Sequence, residues 1–144
     1  MKYLLGIDLG TSSIKAVLTD TAGNIAGIGQ VEYGIEKPQI NFAEQDPEMW
    51  WSSVCSAIRT ALAKSNISAK HIAGIGFSGQ MHGLVCIDKD GKPLRKAIIW
   101  CDQRSSEQVK FINSRFPPAE LGTLAANPVV PGFLAASLLW IKEN

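Results

Sequence analysis

A short segment near the amino terminus places phosphate-binding groups between two apolar runs, at 3–7 and 14–19, each of which predicts a buried strand. The segment contains one carboxylate, one turn glycine and three hydroxyls, namely Asp8, Gly10, Thr11, Ser12 and Ser13. Successive N–H groups and hydroxyls in such a turn can form a concave anion site. Asp8 could hold a hydrated Mg²⁺, which takes one or two carboxylates together with phosphate oxygens. The same spacing also fits an ordinary tight turn that Asp8 merely caps.

The commoner glycine-rich phosphate motifs do not fit this segment. It has neither the Gly-Lys-Ser/Thr ending of a Walker A loop nor the Gly-x-Gly-x-x-Gly of a dinucleotide fingerprint. Both of those motifs require a helix directly after the glycines. Because an apolar strand follows here instead, the sequence predicts a glycine-bent hairpin.

A second polar segment, Ser78 to Gly83, follows a glycine-rich apolar run at 72–77 that predicts another strand. In an open α/β sheet, ligands bind beyond the carboxyl ends of the strands. Gln80 and His82 would lie there as hydrogen-bonding groups, and the glycines on both sides would let a small molecule approach closely. The alternative is a structural loop in which His82 caps the strand end.

The hydrophobic pattern arranges the rest of the chain around these two segments. It predicts three antiparallel strands, a helix, a parallel strand, a hairpin and two further helices, at 3–7, 14–19, 25–33, 47–64, 72–77, 83–87 with 94–100, 103–116 and 131–143. The first helix has a clear start, because Asp46 suits the cap position and Pro47 the first helical position. This order predicts an α/β fold with a mixed sheet.

Composition narrows the classes of function. A chain of 144 residues is long enough for one core. Its 14 basic and 13 acidic residues form no basic stripe, so we expect no nucleic-acid partner. No apolar run approaches the roughly 20 residues of a membrane span. Cys55, Cys86 and Cys101 are odd in number and lack the spacing of a metal site. A reducing, cytoplasmic location is the simplest inference.

Four motifs, in order along nearly the whole chain, resemble those of the FGGY family of carbohydrate kinases, in particular its pentulose branch. They are Gly-Ile-Asp-Leu-Gly-Thr-Ser at 6–12, Glu-Gln-Asp-Pro at 44–47 followed by Trp50 and Trp51, Ser-Gly-Gln-Met-His-Gly at 78–83, and Trp-Cys-Asp-Gln-Arg at 100–104. A looser fifth match is Pro-Gly-Phe at 131–133 with Leu-Leu-Trp at 138–140. The resemblance implies an RNase H-like, actin-like ATPase fold, whose first three strands are antiparallel and whose mixed sheet is flanked by helices.

The same resemblance implies ATP-dependent phosphorylation of D-xylulose, or a similar small sugar, at its terminal hydroxyl. Asp8 would organise Mg²⁺ and the phosphates, and Lys15 would offset phosphate charge. The turn residues Gly10, Thr11, Ser12 and Ser13 would line the phosphate site, and Met81 and His82, beside Gln80, would contact the sugar. Asp102 and Arg104 match a motif near the sugar pocket, where they either contact the sugar or only pair with each other.

Two features depart from the family pattern. Ala136 and Ser137 stand where relatives commonly have Pro and Lys. The general base of the family, an Asp in a later glycine-rich segment, and its adenine-binding lobe have no counterpart among the 144 residues. We therefore expect one domain, the first part of an amino-terminal lobe, with no catalytic base of its own and no activity alone.

Other functions stay open at this point. The parent enzyme could phosphorylate gluconate, ribulose or glycerol, although the Met81–His82 pair argues against glycerol. The chain could also be a non-catalytic assembly domain that retains the phosphate turn.

Apolar residues crowd into the last dozen positions of the chain. They are Phe133, Leu134, Leu138, Leu139 and Trp140. Such a patch on a soluble chain predicts an interface, and an unpaired edge strand would add to it. We therefore expect self-association as a homodimer or a larger species.

Overall fold

The polypeptide folds into two units, each built from two separate stretches of chain. The computed structural model describes residues 1–144 with the exception of the Pro118 side chain. The first unit comprises residues 1–34 and 47–80, and the second comprises residues 35–46 and 81–144. Along the chain the elements are β1 (Tyr3–Leu9), β2 (Ser13–Asp20), β3 (Ile25–Glu32), β4 (Glu44–Gln45), α1 (Pro47–Ser65), β5 (Ile72–Gly79), β6 (Ala97–Ile98), α2 (Ser106–Arg115), α3 (Pro118–Ala125) and α4 (Leu134–Glu143), with a short 3-10 turn at Ala69–His71.

The first unit is a four-stranded mixed sheet with one long helix on one face. The strand order is β3-β2-β1-β5. The β1–β2 and β2–β3 pairs are antiparallel, and β5 runs parallel to β1. A parallel strand needs a long crossover connection, which α1 supplies. The four predicted strands of this unit, their directions and the helix that begins at Pro47 are confirmed.

Alternating side chains of the strands form the core of this unit against α1. The buried core residues are Leu5, Ile7, Ile14, Ala16 and Leu18 from the sheet and Ala57 and Ala61 from the helix. The helix approaches β3 so closely that a Cβ atom on Gly29 would lie 1.9 Å from the carbonyl oxygen of Ala57. The absence of a side chain at Gly29 is thus the reason that α1 can lie on this face.

The second unit contains less regular structure than the first. Its two short strands, β4 and β6, pair in antiparallel register, with Glu44 opposite Ile98. Helices α2 and α4 are joined by a hydrogen bond from Gln108 Nε2 to Glu143 Oε2 (2.7 Å). Its fully buried residues include polar ones, among them Asp102. Polar residues thus share the interior of this unit with apolar ones such as Ile98 and Ile99.

The predicted hairpin of the second unit is confirmed only in part. The stretches 83–87 and 94–100 do not form two paired strands. One isolated bridge joins them, between Leu84 and Ile98, and another links Ile87 to Pro93 just before the second stretch. Residues 97–98 form β6 and pair with β4, which comes from an earlier part of the chain. Ile98 therefore pairs both with Leu84, within the predicted hairpin, and with the distant β4.

Two helices of the second unit begin later than predicted. Helix α2 begins at Ser106 rather than at 103, and α4 begins at Leu134 rather than at 131. The residues that precede them have other partners. The Gln103 N–H donates to the carbonyl oxygen of Asn41 (2.8 Å), and Gly132 has a left-handed φ of +80°. The left-handed φ of Gly132 is not compatible with a helix that continues back through this position.

Helix α3 was not predicted. The Pro117-Pro118 pair indicated only the end of the preceding helix, whereas proline is also favoured in the first turn of a new one. The proline pair therefore both ends α2 and begins α3.

None of the described helices is long and apolar enough to cross a membrane. The three cysteines are free thiols.

Candidate functional site

Two opposite charges face each other on the exposed side of the first unit's sheet. Asp8 on β1 lies directly across from Lys15 on β2, and residues paired in this way have Cβ atoms about 4.5–5.5 Å apart. Both residues are exposed, and neither joins an ion pair among the described residues. Ser78 on β5 flanks Asp8 on its other side. The carboxylate and the ammonium are therefore both available to a ligand.

An open cleft of about 360 Å³ runs along this side of the sheet and is lined by both charges. Gly6 and Gly76 form part of its wall, and the lack of side chains there leaves room for a ligand against the backbone. The volume falls within the range of small-molecule sites.

Hydrogen bonds from within the turn and from Tyr33 hold the turn between β1 and β2. The Gly10 N–H donates to the carbonyl oxygen of Ser13 (3.0 Å), and the Tyr33 N–H donates to that of Ser12 (3.0 Å). The Tyr33 hydroxyl donates to the Gly10 carbonyl oxygen. The predicted strand–turn–strand arrangement is confirmed. The residues that carry the three hydroxyls, Thr11, Ser12 and Ser13, follow Asp8 in this hydrogen-bonded turn.

The donor set around Asp8 fits Mg²⁺ better than a metal that needs a protein cage. No group of three His, Cys, Asp or Glu side chains able to hold a metal occurs among the described residues. Mg²⁺ keeps several waters and binds through one or two carboxylates plus phosphate oxygens. A single exposed carboxylate beside a hydroxyl-lined turn is compatible with that requirement.

Tyr33 is a residue of this site that the sequence analysis missed. Burial, together with the negative charge of Asp8, raises the pKa of Tyr33 to about 12. Its hydroxyl therefore stays protonated and remains a donor to Gly10. A signal for it was present in the sequence. In an antiparallel meander the end of β3 lies beside the start of β2, so the residue after β3 must adjoin the turn that precedes β2.

Gln80 lies in the first unit, next to the turn between β1 and β2. It follows β5 directly, and its N–H donates to the carbonyl oxygen of Leu9 (3.0 Å) at the end of β1. The two parallel strands thus end at the same edge of the sheet, as the sequence predicted for a ligand-binding position. A sugar contact by Gln80 stays a prediction.

Met81 and His82 lie in the second unit. Met81 is 72% exposed. His82 is half-buried and has a left-handed backbone, with φ at +66°. The imidazole stacks face to face on the ring of Phe133, with 3.7 Å between ring centres and 8° between ring planes. These two residues combine an apolar surface with an oriented hydrogen-bonding ring.

Asp102 and Arg104 form a buried ion pair. Neither side chain has exposed surface, and 2.8 Å separates Arg104 Nη2 from Asp102 Oδ2. Arg104 Nε donates to both carboxylate oxygens, at 3.0 and 2.9 Å. The carboxylate also accepts the N–H of Ala43 (2.6 Å). The structure therefore contains the mutual pairing that the sequence analysis left open as one alternative.

The same arginine binds a second carboxylate and two aromatic rings. Arg104 Nη1 lies 2.7 Å from Glu44 Oε1, and Arg95 Nη2 reaches the same oxygen at 3.0 Å. The Arg104 guanidinium lies 3.7 Å from the ring centre of Phe42 and 5.0 Å from that of Trp140. This buried cluster links β4, the loop at 102–104 and α4. A sugar contact by Asp102 or Arg104 stays a prediction.

The chain belongs to the FGGY family of carbohydrate kinases, because residues 3–144 match the N-terminal domain of that family. It is 40% identical over 144 residues to the xylulose kinase of Lactococcus lactis subsp. lactis, a match that covers 100% of this chain and 28% of the relative. The chain thus spans less than a third of the length of such relatives.

Two solved structures are similar to this fold. The "xyloylose kinase" of Brucella ovis is 37% identical, with a TM-score of 0.91 over 99% of this chain and 29% of that one. The gluconate kinase of Lactobacillus acidophilus is 29% identical, with a TM-score of 0.88 over 98% of this chain and 28% of that one. The predicted RNase H-like, actin-like ATPase fold is confirmed.

Proposed function

We propose that this chain is the phosphate- and sugar-binding part of a kinase that transfers the γ-phosphoryl group of ATP to D-xylulose, giving D-xylulose 5-phosphate. The observation that carries the proposal is the Asp8–Lys15 pair, in which opposite charges without ion-pair partners among the described residues line an open cleft beside a hydroxyl-bearing turn. The name of the Lactococcus relative, xylulose kinase, supports this choice of sugar.

Phosphoryl transfer depends on positioning and on electrostatic stabilisation of the phosphoryl oxygens. In the proposed site, Asp8 holds Mg²⁺ and Lys15 places a positive charge next to the phosphates. The hydroxyls of Thr11, Ser12 and Ser13 donate hydrogen bonds from a turn that Tyr33 keeps rigid. Bound Mg²⁺ would neutralise phosphate charge that these residues alone leave uncompensated.

The sugar contacts in this proposal are His82 and Met81. The ring nitrogens of His82 can donate to or accept from a sugar hydroxyl, and the exposed side chain of Met81 offers an apolar surface. We assign no general base among the described residues. Asp102 is unsuited to that role, because it is buried and ion-paired with Arg104.

The phosphate half of the proposal is tested by Asp8→Ala in the complete kinase that contains this chain, with ADP release as the readout. We expect kcat with D-xylulose to fall by about 10²–10³-fold, the effect of removing one electrostatic stabiliser, and the Mg²⁺ dependence to shift. Asp8→Asn, which keeps the shape, is the control for folding. An unchanged kcat with a normal Mg²⁺ titration would mean that Asp8 only caps the turn.

The sugar half is tested by His82→Ala in the same enzyme. A buried hydroxyl that loses its partner costs about 1–3 kcal/mol, so KM for D-xylulose should rise roughly 5- to 150-fold while KM for ATP stays constant. Equal losses for sugar and ATP would indicate a folding defect, which thermal melting detects. An unchanged sugar KM in a well-folded variant contradicts the assignment.

Gluconate is the second candidate substrate. The gluconate kinase of Lactobacillus acidophilus has nearly the same fold similarity as the Brucella kinase, so fold similarity does not distinguish the two sugars. Parallel assays with D-xylulose, gluconate, ribulose and glycerol separate them by kcat/KM. A higher value for gluconate would replace D-xylulose in the proposal and leave the role of Asp8 intact.

We further propose that the chain forms the first part of the amino-terminal lobe of this kinase, works in the cytoplasm and self-associates. Free thiols support a reducing compartment. The patch predicted near the carboxyl end is partly packed within its own unit, because Phe133, Leu139 and Trp140 are half-buried. Leu134 and Leu138 of that patch are exposed, and exposed apolar residues also lie on β5, where Phe77 is 77% and Ile75 56% exposed.

A further inference from the structure

The Pro131–Phe133 motif has no role in the function proposed above, although the structure places it against a residue of the candidate sugar site. The ring of Phe133 covers one face of the His82 imidazole at 3.7 Å, with the two planes nearly parallel. Both residues are half-buried. The contact lies wholly within the second unit.

The backbone that carries Phe133 is fixed by a close approach to another loop. A Cβ atom on Gly132 would lie 2.2 Å from the carbonyl oxygen of Trp100, and Gly132 has a φ of +80°. The Gly132 N–H faces the hydroxyl of the buried Ser105 at 3.4 Å. On the other side, the Phe133 carbonyl oxygen accepts the N–H of Ser137 (3.0 Å) at the start of α4. The backbone is therefore held on both sides of Phe133, which fixes where its side chain begins.

His82 lacks comparable support of its own. Its left-handed φ of +66° is uncommon for a residue with a side chain. Within the second unit, no described residue forms a hydrogen bond or ion pair with its ring. The stack on Phe133 is thus the contact that sets the plane of the imidazole. Because stacking uses only the ring face, both nitrogens at the ring edge stay available to a ligand.

We propose that Phe133 is a positioning residue, which holds the His82 imidazole in the plane needed to hydrogen-bond a sugar hydroxyl. This inference rests on the proposed function, since it takes His82 to be a sugar contact. It assigns the Pro131–Gly132–Phe133 turn a role in substrate binding that the motif alone did not indicate. A flexible imidazole would have to be ordered when sugar binds, and that ordering entropy would weaken binding.

The stack itself is tested by NMR of the imidazole protons on the 144-residue chain. In the wild type we expect the His82 ring protons to be shifted upfield by the facing ring. Phe133→Leu should remove that shift, whereas Phe133→Tyr, which keeps the ring, should retain it. Leu134→Ala is the matched control, because Leu134 is the next residue along and is exposed. The same His82 shift in wild type and Phe133→Leu would overturn the inference.

The positioning role is tested by steady-state kinetics on the complete kinase. Phe133→Leu should raise KM for D-xylulose about three- to tenfold, the range expected for loss of one aromatic pair, with kcat and KM for ATP unchanged. Phe133→Tyr should restore the wild-type value. In a His82→Ala background, Phe133→Leu should have no further effect. An undiminished effect in that background would show that Phe133 acts independently of His82. That result would overturn the positioning role of Phe133 but leave the proposed function intact.

Failure of the proposed function has a different signature. If the wild-type kinase releases no ADP in the presence of D-xylulose, and D-xylulose leaves the His82 resonances unmoved, the sugar assignment is wrong and the positioning role is wrong with it. The upfield shift of the His82 protons would persist in that case, because it depends only on the stack.

Discussion

The two units of this chain assemble their candidate site residues by different physical means. In the first unit, Asp8 meets Lys15 because β1 and β2 are antiparallel neighbours in a regular register. In the second unit, His82 and the Asp102–Arg104 pair lie on irregular segments, held by a stacked ring and by buried charges. A sheet register is determined by many similar contacts, whereas the second unit relies on a few specific ones. We therefore expect single substitutions to disturb the second unit more.

The largest expected effect comes from breaking the buried ion cluster with Arg104→Met. This change leaves Asp102 and Glu44 without their shared cation, and removing one partner of a buried pair typically costs 3–5 kcal/mol. Urea denaturation followed by circular dichroism measures the free energy of unfolding. Lys110→Met is the matched control, because its ion pair with Glu107 is exposed and should contribute less than about 1 kcal/mol. Similar losses in both variants would show that the buried ion cluster stabilises the second unit no more than an exposed ion pair does.

Gly29→Ala tests whether the first unit also depends on a single close contact. Its new Cβ would lie 1.9 Å from the Ala57 carbonyl oxygen, so α1 must move away from β3. We expect a loss of about 1–3 kcal/mol, as for other overpacked cores. Gly76→Ala is the control in the same sheet, because no heavy atom lies within 4 Å of its added Cβ. If Gly29→Ala were as stable as Gly76→Ala in a thermal melt, the close packing of α1 on β3 would be refuted.

Tyr33→Phe should have a smaller effect, with a characteristic pH dependence. Losing the hydrogen bond to Gly10 should cost about 1 kcal/mol at neutral pH. Because the pKa of Tyr33 is raised to about 12, its neutral form stabilises the fold below its ordinary pKa near 10. That contribution is lost as the pH rises from about 10 to 12.

The variant lacks this group, so its stability should fall less steeply than the wild type over the same alkaline range. Unfolding titrations at pH 9, 10 and 11 measure the difference. Parallel curves for the two proteins would show that the fold does not raise the pKa of Tyr33.

The weakest expected effect concerns self-association. Phe77 and Ile75 are exposed on β5, at the edge of the described sheet, and Phe77 borders an apolar cleft of about 460 Å³ next to Trp51. Exposed apolar edge strands favour pairing with another chain. Phe77→Lys should shift light scattering towards monomer. A wild-type chain that is monomeric over a wide concentration range would contradict this prediction.

The sequence by itself determined the first unit almost completely. Apolar runs between turn residues predicted its strands, the Asp46-Pro47 pair predicted the start of α1, and the four motifs indicated the family that the comparison then established. Asp8 and Lys15 could be placed near one turn because they flank it in the chain. Local patterns suffice there, since neighbouring strands of a meander are joined by short connections and their register follows from which face is buried.

Only the tertiary structure decided how the second unit is arranged. Ala97 and Ile98 pair with the distant β4, in addition to the local bridge from Ile98 to Leu84, and Arg104 reaches Glu44 although the two are far apart in the chain. The stack of Phe133 on His82 likewise joins segments separated by about fifty residues. Such contacts arise from loop packing and charge burial. Neither of these produces a periodic pattern of residues along the sequence. Residue types indicated what these groups can bind, but their partners depended on which distant segments the fold brought together.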